Sequence, residues 1–181
     1  MAASDVAEVS LKLAARRAYE VGRLEGALLR GAAAALLAMP GFLLCNQTPW
    51  AAVCLTAFAL VVAAGRVRGE GYDEGARAGA LAGILPCLLP AALRAIDPAL
   101  CVMLSSRGAW ICAIGGVAAG VVLGLRGRRA EGLPFWASAL AALVFAASLG
   151  CIPAGLIGFV GLTVGVVAGG APLLASRRAV V

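Results

Sequence analysis

Six apolar runs take up most of this chain, at residues 28–45, 49–65, 77–93, 108–125, 133–150 and 152–175. Each is close to the roughly 17–25 residues that an α-helix needs to cross the hydrocarbon of a bilayer. Hydrophobic residues make up 62% of the 181 and charged residues 13%, against roughly 45–50% and about 25% in soluble domains. A water-soluble fold of this size could not cover so much apolar surface. The pattern predicts an all-α, polytopic transmembrane helical bundle of about six spans. Residues 1–27 are expected to form a cytoplasmic or interfacial N-terminal helix, 28–175 the bundle, and 176–181 a cytoplasmic tail.

Charge sets the direction of the spans. With six crossings, one side receives Lys12, Arg16, Arg17, Arg23, Arg30, Arg66, Arg68, Arg77, Arg126, Arg128, Arg129, Arg177 and Arg178, and the other only Arg94 and Arg107. Cytoplasmic loops carry the excess of lysine and arginine, so both termini are expected in the cytoplasm. The formal net charge of +6 then belongs to orientation, and a nucleic-acid partner is not expected. End arginines such as Arg30 and Arg77 are expected to snorkel to the interface. The third run is the hardest to parse. Pro86 and Pro90 in "GILPCLLPAALR" leave open whether 77–104 spans fully or is re-entrant.

The first thirty residues carry Asp5, Glu8, Lys12, Arg16, Arg17, Glu20, Arg23, Glu25 and Arg30, unlike a short basic start followed by an apolar run, so no cleavable leader is expected. Residues 4–30 read as a helix leading into the first span. Ser4 or Asp5 stands at the capping position, and Val6, Val9, Leu13 and Arg17 mark one face. That helix is expected to lie on lipid or dock on a partner. Lys12 is the one lysine among fifteen basic residues; with heavy use of alanine and glycine, this points to a GC-rich coding sequence and a bacterial cytoplasmic (inner) membrane.

Two stretches share one pattern: "YEVGRLEGA" at 19–27 and "YDEGARAGA" at 72–80, each headed by one of the two tyrosines, Tyr19 and Tyr72. On the six-span topology both fall at the cytoplasmic foot of an outward-running helix. "RVRGEG" (66–71) and "RGRRAEG" (126–132) add a fainter repeat, and together they suggest three tandem hairpins over 19–71, 72–131 and 132–178. Glycine spacing is a further signal. Gly71, Gly75, Gly79 and Gly83 recur every four residues, as do Gly116, Gly120 and Gly124, and Gly161, Gly165 and Gly169. Such spacing gives a flat helical face that a second backbone can approach closely, within the bundle or between copies of the chain or other membrane subunits. Pro86 and Pro90 mark a possible bent-helix site in helix three.

The six cysteines all fall toward the outer side of this topology. Cys45, Cys54, Cys101 and Cys151 are disulfide candidates, with Cys45 and Cys54 flanking the short turn "NQTPW". Cys87, Cys101 and Cys112 are weak candidates for a soft metal ion. Burial as small hydrophobes is the third reading. No other cofactor is predicted. Histidine is absent, so Ser-His-Asp and Cys-His nucleophilic sites cannot be built. All nine carboxylates lie in loops or at helix feet, which argues against an intramembrane proton relay. Mid-span hydroxyls such as Thr56, Ser138 and Thr163 are expected to bond their own helix backbone. These observations favour a non-enzymatic accessory or scaffold subunit in the bilayer. A small channel or transporter for an uncharged or metal-ion solute, or a thiol-based redox or metal-binding protein, is the alternative.

Overall fold

A computed structural model describes residues 2–45, 48–96, 108–127, 132–151 and 155–178. These residues form six α-helices: α1 (Ala2–Cys45), α2 (Pro49–Arg68), α3 (Glu70–Ile96), α4 (Gly108–Gly127), α5 (Leu133–Cys151) and α6 (Gly155–Arg178). Five of them, all but α3, are long and apolar enough to cross a membrane, with mean hydropathies between 1.5 and 1.9. The protein is thus an all-helical bundle suited to a multi-pass membrane setting. Its outer surface is apolar to match. Leu29, Leu36, Leu60, Ile114, Leu156 and Val164 all point away from the bundle, where water would penalise them and lipid would not.

The N-terminal segment and the first span form one continuous helix. At 44 residues, α1 is about 66 Å long at 1.5 Å per residue, well beyond a single crossing of about 30 Å. Helix α2 opens on Thr48, whose hydroxyl accepts from the amide of Ala51 at 3.3 Å, with Pro49 in the first turn. That capping oxygen satisfies one of the amides a helix start leaves unpaired. Helix α2 ends at Gly69, where φ is 122° and ψ 178°, a backbone region essentially reserved for glycine. This one residue separates α2 from α3, and it accepts from the amide of Asp73 at 2.9 Å.

Helix packing departs from the tandem-hairpin expectation. Helices α5 and α6 are consecutive yet scarcely touch, while α3 packs most extensively on α5 and α4 on α6. Both pairs are parallel. A Cβ added at Gly75 would meet Phe135 and Ser138, at Gly79 the backbone of Ala139, and at Gly83 the side chain of Ala146. These partners advance together along α3 and α5. Likewise Gly116 faces Leu162 and Gly165, Gly120 faces Val166 and Gly170, and Gly124 faces Leu173. Gly169 lies against the backbone of Val117. Gly71, by contrast, meets only Pro134, at an ordinary 3.6 Å. The seams are close because helices in lipid gain little hydrophobic drive for association and rely on dispersion between backbones.

Helix α3 touches α1, α2, α4 and α5 and forms the middle of the bundle. It is continuous over Glu70–Ile96 through both prolines; the remainder of 77–104 lies outside the described residues. Pro86 is fully buried, packed against Gly115 of α4 and Gly150 of α5. Pro90 lies within α3. The core around α3 is small-residue rich, with Phe58, Phe135 and Leu149 as its largest fully buried apolar side chains.

Candidate functional site: a buried aspartate at the arginine-rich end

Four charged side chains of the described residues converge at one point. Asp73, in the first turn of α3, has a side chain only 10% exposed. Arg77, one turn later, donates to Asp73 Oδ2 at 2.6 Å. Arg30 of α1 donates from Nη1 to both carboxylate oxygens, at 3.0 and 2.9 Å. Arg66, in the last turn of α2, stands 3.5 Å from Oδ2. Three helices are thus held at one end by a single carboxylate. Arg30 and Arg77, expected to snorkel, pair with Asp73 while their own side chains stay 37% and 50% exposed.

The charge at this point does not balance. One carboxylate meets three guanidiniums, and Arg66 makes the longest of the contacts with its side chain 45% exposed. Beside it, Arg23 of α1 donates to the carbonyl of Val67 in the last turn of α2, one of the carbonyls a helix end leaves without a partner. Arg68 stacks over the ring of Tyr72 at 5.7 Å from its centroid. A polar cavity of about 480 Å³ opens next to these groups, lined by Ala18, Tyr19, Gly22, Arg23, Arg66, Gly69 and Glu70.

The two copies of the tyrosine motif therefore differ in environment. In the first, Glu20 pairs with Arg16 at 3.1 Å on an exposed surface, and Gly22 and Gly26 have nothing within 4 Å of an added Cβ. In the second, the matching acid is Asp73 and the glycines Gly75 and Gly79 are pressed against α5. Sequence reading marked Asp73 as part of a repeat but not as a meeting point. The one local signal was its spacing from Arg77, four residues apart on a helix; Arg30 and Arg66 reach it only through tertiary packing.

The cysteines separate at the other end. Cys151 of α5 stands with its Sγ 2.9 Å from that of Cys112 of α4, both buried. The sequence puts Cys151 among disulfide candidates and Cys112 among metal candidates; the structure brings these two together as free thiols. Cys87 is buried in α3 and Cys54 half-buried in α2, both as thiols. The side chain of Cys45, and Cys101 altogether, lie outside the described residues. Among the described residues no group of three histidine, cysteine or carboxylate side chains is placed to hold a metal ion. The hydroxyls of Thr56, Ser138, Ser148 and Thr163 each bond a carbonyl of their own helix.

A helical bundle with one charged end and a dithiol at the other defines the class: a multi-pass membrane protein whose interior is built from small residues. No protein-family model, no curated protein and no solved structure matches the chain.

Proposed function

We propose that this chain is a non-enzymatic accessory or scaffold protein of the cytoplasmic membrane, crossing it six times with both termini on the cytoplasmic side. The observation that carries this reading is the pair of glycine seams, α3 on α5 and α4 on α6, where backbones meet directly. Seams of that kind fill the space between helices and favour a rigid body over a solute path. The register of contacts also supports an even number of crossings. Arg30 and Gly41 of α1 meet Asp73 and Cys87 of α3 in that order, and Gly83 and Pro86 of α3 meet Ala146 and Gly150 of α5. Odd-numbered helices thus run one way, and α4 with its parallel partner α6 runs the other, since Cys112 near the start of α4 meets Cys151 at the end of α5 and Gly127 at the end of α4 meets Trp136 near the start of α5. Helix α3 is the sixth span. Surrounded by four neighbours, it needs less apolar surface than a lipid-facing helix, and its 27 residues extend about 40 Å, enough for a bilayer.

Aromatic residues at both ends fit helices that run from one interface to the other. Trp50 and Trp110 open α2 and α4 at the end away from Asp73, and both are exposed; Tyr19 and Tyr72 stand at the Asp73 end. Amphipathic rings concentrate at the two membrane–water interfaces. Because cytoplasmic loops carry the excess of arginine, the arginine-rich end is the cytoplasmic one, and the exposed helix surface from Leu11 to Gly22 is where other subunits of a membrane assembly would bind. Purified protein in liposomes tests the reading against a transporter: no flux of small uncharged solutes or of divalent metal ions above protein-free vesicles is expected. Saturable flux would replace the scaffold by the transporter. A thiol-based function is the second reading, favoured by the buried contact between Cys112 and Cys151.

A further inference from the structure

We propose that the cavity between α1 and the α2–α3 turn binds one phospholipid headgroup, of the class that carries both a phosphate and a primary ammonium. The inference rests on the proposed orientation, which puts this cavity at the cytoplasmic interface of the membrane. Three observations lead to it. The first is surplus charge: Asp73 is held at 2.9 and 2.6 Å by Arg30 and Arg77, leaving Arg66 as a third, more distant cation. A guanidinium offers five donors, and a cation that shares one carboxylate with two others is stabilised by a further anion beside it. The second is the lining. Arg23 and Arg66 share the cavity wall, and both have donors beyond their contacts to Val67 and Asp73. Paired arginines suit phosphate oxygens.

The third observation is Glu70, which lines the same cavity. A purely anionic headgroup would meet its carboxylate as a like charge, whereas a primary ammonium would meet a partner. The lining of two cations, one anion and the phenol of Tyr19 matches a phosphate and an ammonium side by side. Its volume of about 480 Å³ falls within the roughly 300–1,000 Å³ of small-molecule sites; basic pockets between membrane helices hold the phosphates of anionic lipids, and Glu70 adds to this one a partner for an ammonium.

The test is native mass spectrometry of the full chain released from vesicles containing equal parts phosphatidylethanolamine, phosphatidylcholine and phosphatidylglycerol. The expected result is one retained lipid, phosphatidylethanolamine, with about tenfold preference over the other two, the ratio that roughly 1.4 kcal/mol provides. Arg66→Gln is expected to lower retention about tenfold and Arg66→Lys to restore most of it, with thermal unfolding reporting whether each variant is folded. Glu70→Gln is expected to erase the discrimination between primary and quaternary ammonium. Equal retention in wild type and a folded Arg66→Gln, or preference for phosphatidylglycerol, overturns the assignment. Soluble phosphoethanolamine binding as tightly as the lipid overturns the membrane source. Epitope tags on the two termini of the same vesicle sample separate this outcome from a failure of the six-span reading: tags on opposite faces refute the topology, whereas tags on one face with no selective lipid refute only the site.

Discussion

Arg30 reaches Asp73 with a single nitrogen, Nη1, at 3.0 Å from one carboxylate oxygen and 2.9 Å from the other, tying α1 to α3 across 43 positions of sequence. Arg77 and Arg66 add α3 itself and α2 to the same carboxylate. The one-residue turn at Gly69 brings α2 and α3 close enough for this. A single acid thereby sets the relative depth of three helices at one end of the bundle.

Asp73→Asn keeps the shape and removes the charge, leaving Arg30, Arg66 and Arg77 to repel one another. Breaking a fully buried ion pair costs roughly 3–5 kcal/mol. The arginines are 37–50% exposed, so solvent screens part of this, and a loss of about 1–3 kcal/mol is expected. Thermal unfolding in detergent measures it. Glu20→Gln, at the matching position of the first motif, should change stability by less than about 0.5 kcal/mol, because its pair with Arg16 is exposed.

The two motifs also separate by their glycines. An added Cβ at Gly79 would lie 2.7 and 2.8 Å from backbone atoms of Ala139, so Gly79→Ala must push α3 and α5 apart. A loss of about 1–3 kcal/mol is expected. Gly22 meets nothing within 4 Å, and Gly22→Ala should be neutral or stabilising by up to about 1 kcal/mol, since alanine is the better helix former. Equal effects at the two positions would contradict the close seam.

Much of this architecture was legible beforehand, and for a physical reason. A bilayer demands long apolar helices, so the ends of α2, α4 and α5 fall within a few residues of the apolar runs. Partner choice was not legible. The four-residue glycine spacing marks a face, but not which neighbour it receives, and chain order suggested consecutive hairpins where α3 selects α5 and α4 selects α6. Asp73 was similarly hidden. Its neighbours Arg30 and Arg66 come from two other helices, and nothing local marks an arginine whose partner stands on another helix.

Cysteine pairing makes the same point, since Cys112 and Cys151 lie 39 positions apart. Their sulfurs, at 2.9 Å, need to move by less than about 1 Å to reach bonding distance. Diamide, a small two-electron oxidant, should take two electrons and two protons from this pair and leave a Cys112–Cys151 disulfide, visible as a linked peptide after digestion. The bond would join α4 to α5, which otherwise touch little, and should raise the unfolding temperature. Cys112→Ser should abolish the linked peptide; a folded wild type that gives no Cys112–Cys151 peptide after diamide would contradict the packing.

The account as a whole depends on six crossings, five by helices that are apolar by themselves and one by α3, enclosed among its neighbours. The most direct measurement places one epitope tag before Met1 and a second after Val181 and probes both with antibody in sealed inside-out and right-side-out membrane vesicles. Both tags should be reached in inside-out vesicles and neither in right-side-out ones, which requires an even number of crossings and puts Asp73 at the cytoplasmic end. Tags reached from opposite sides would mean that α3 does not cross, and the six-span account would be wrong.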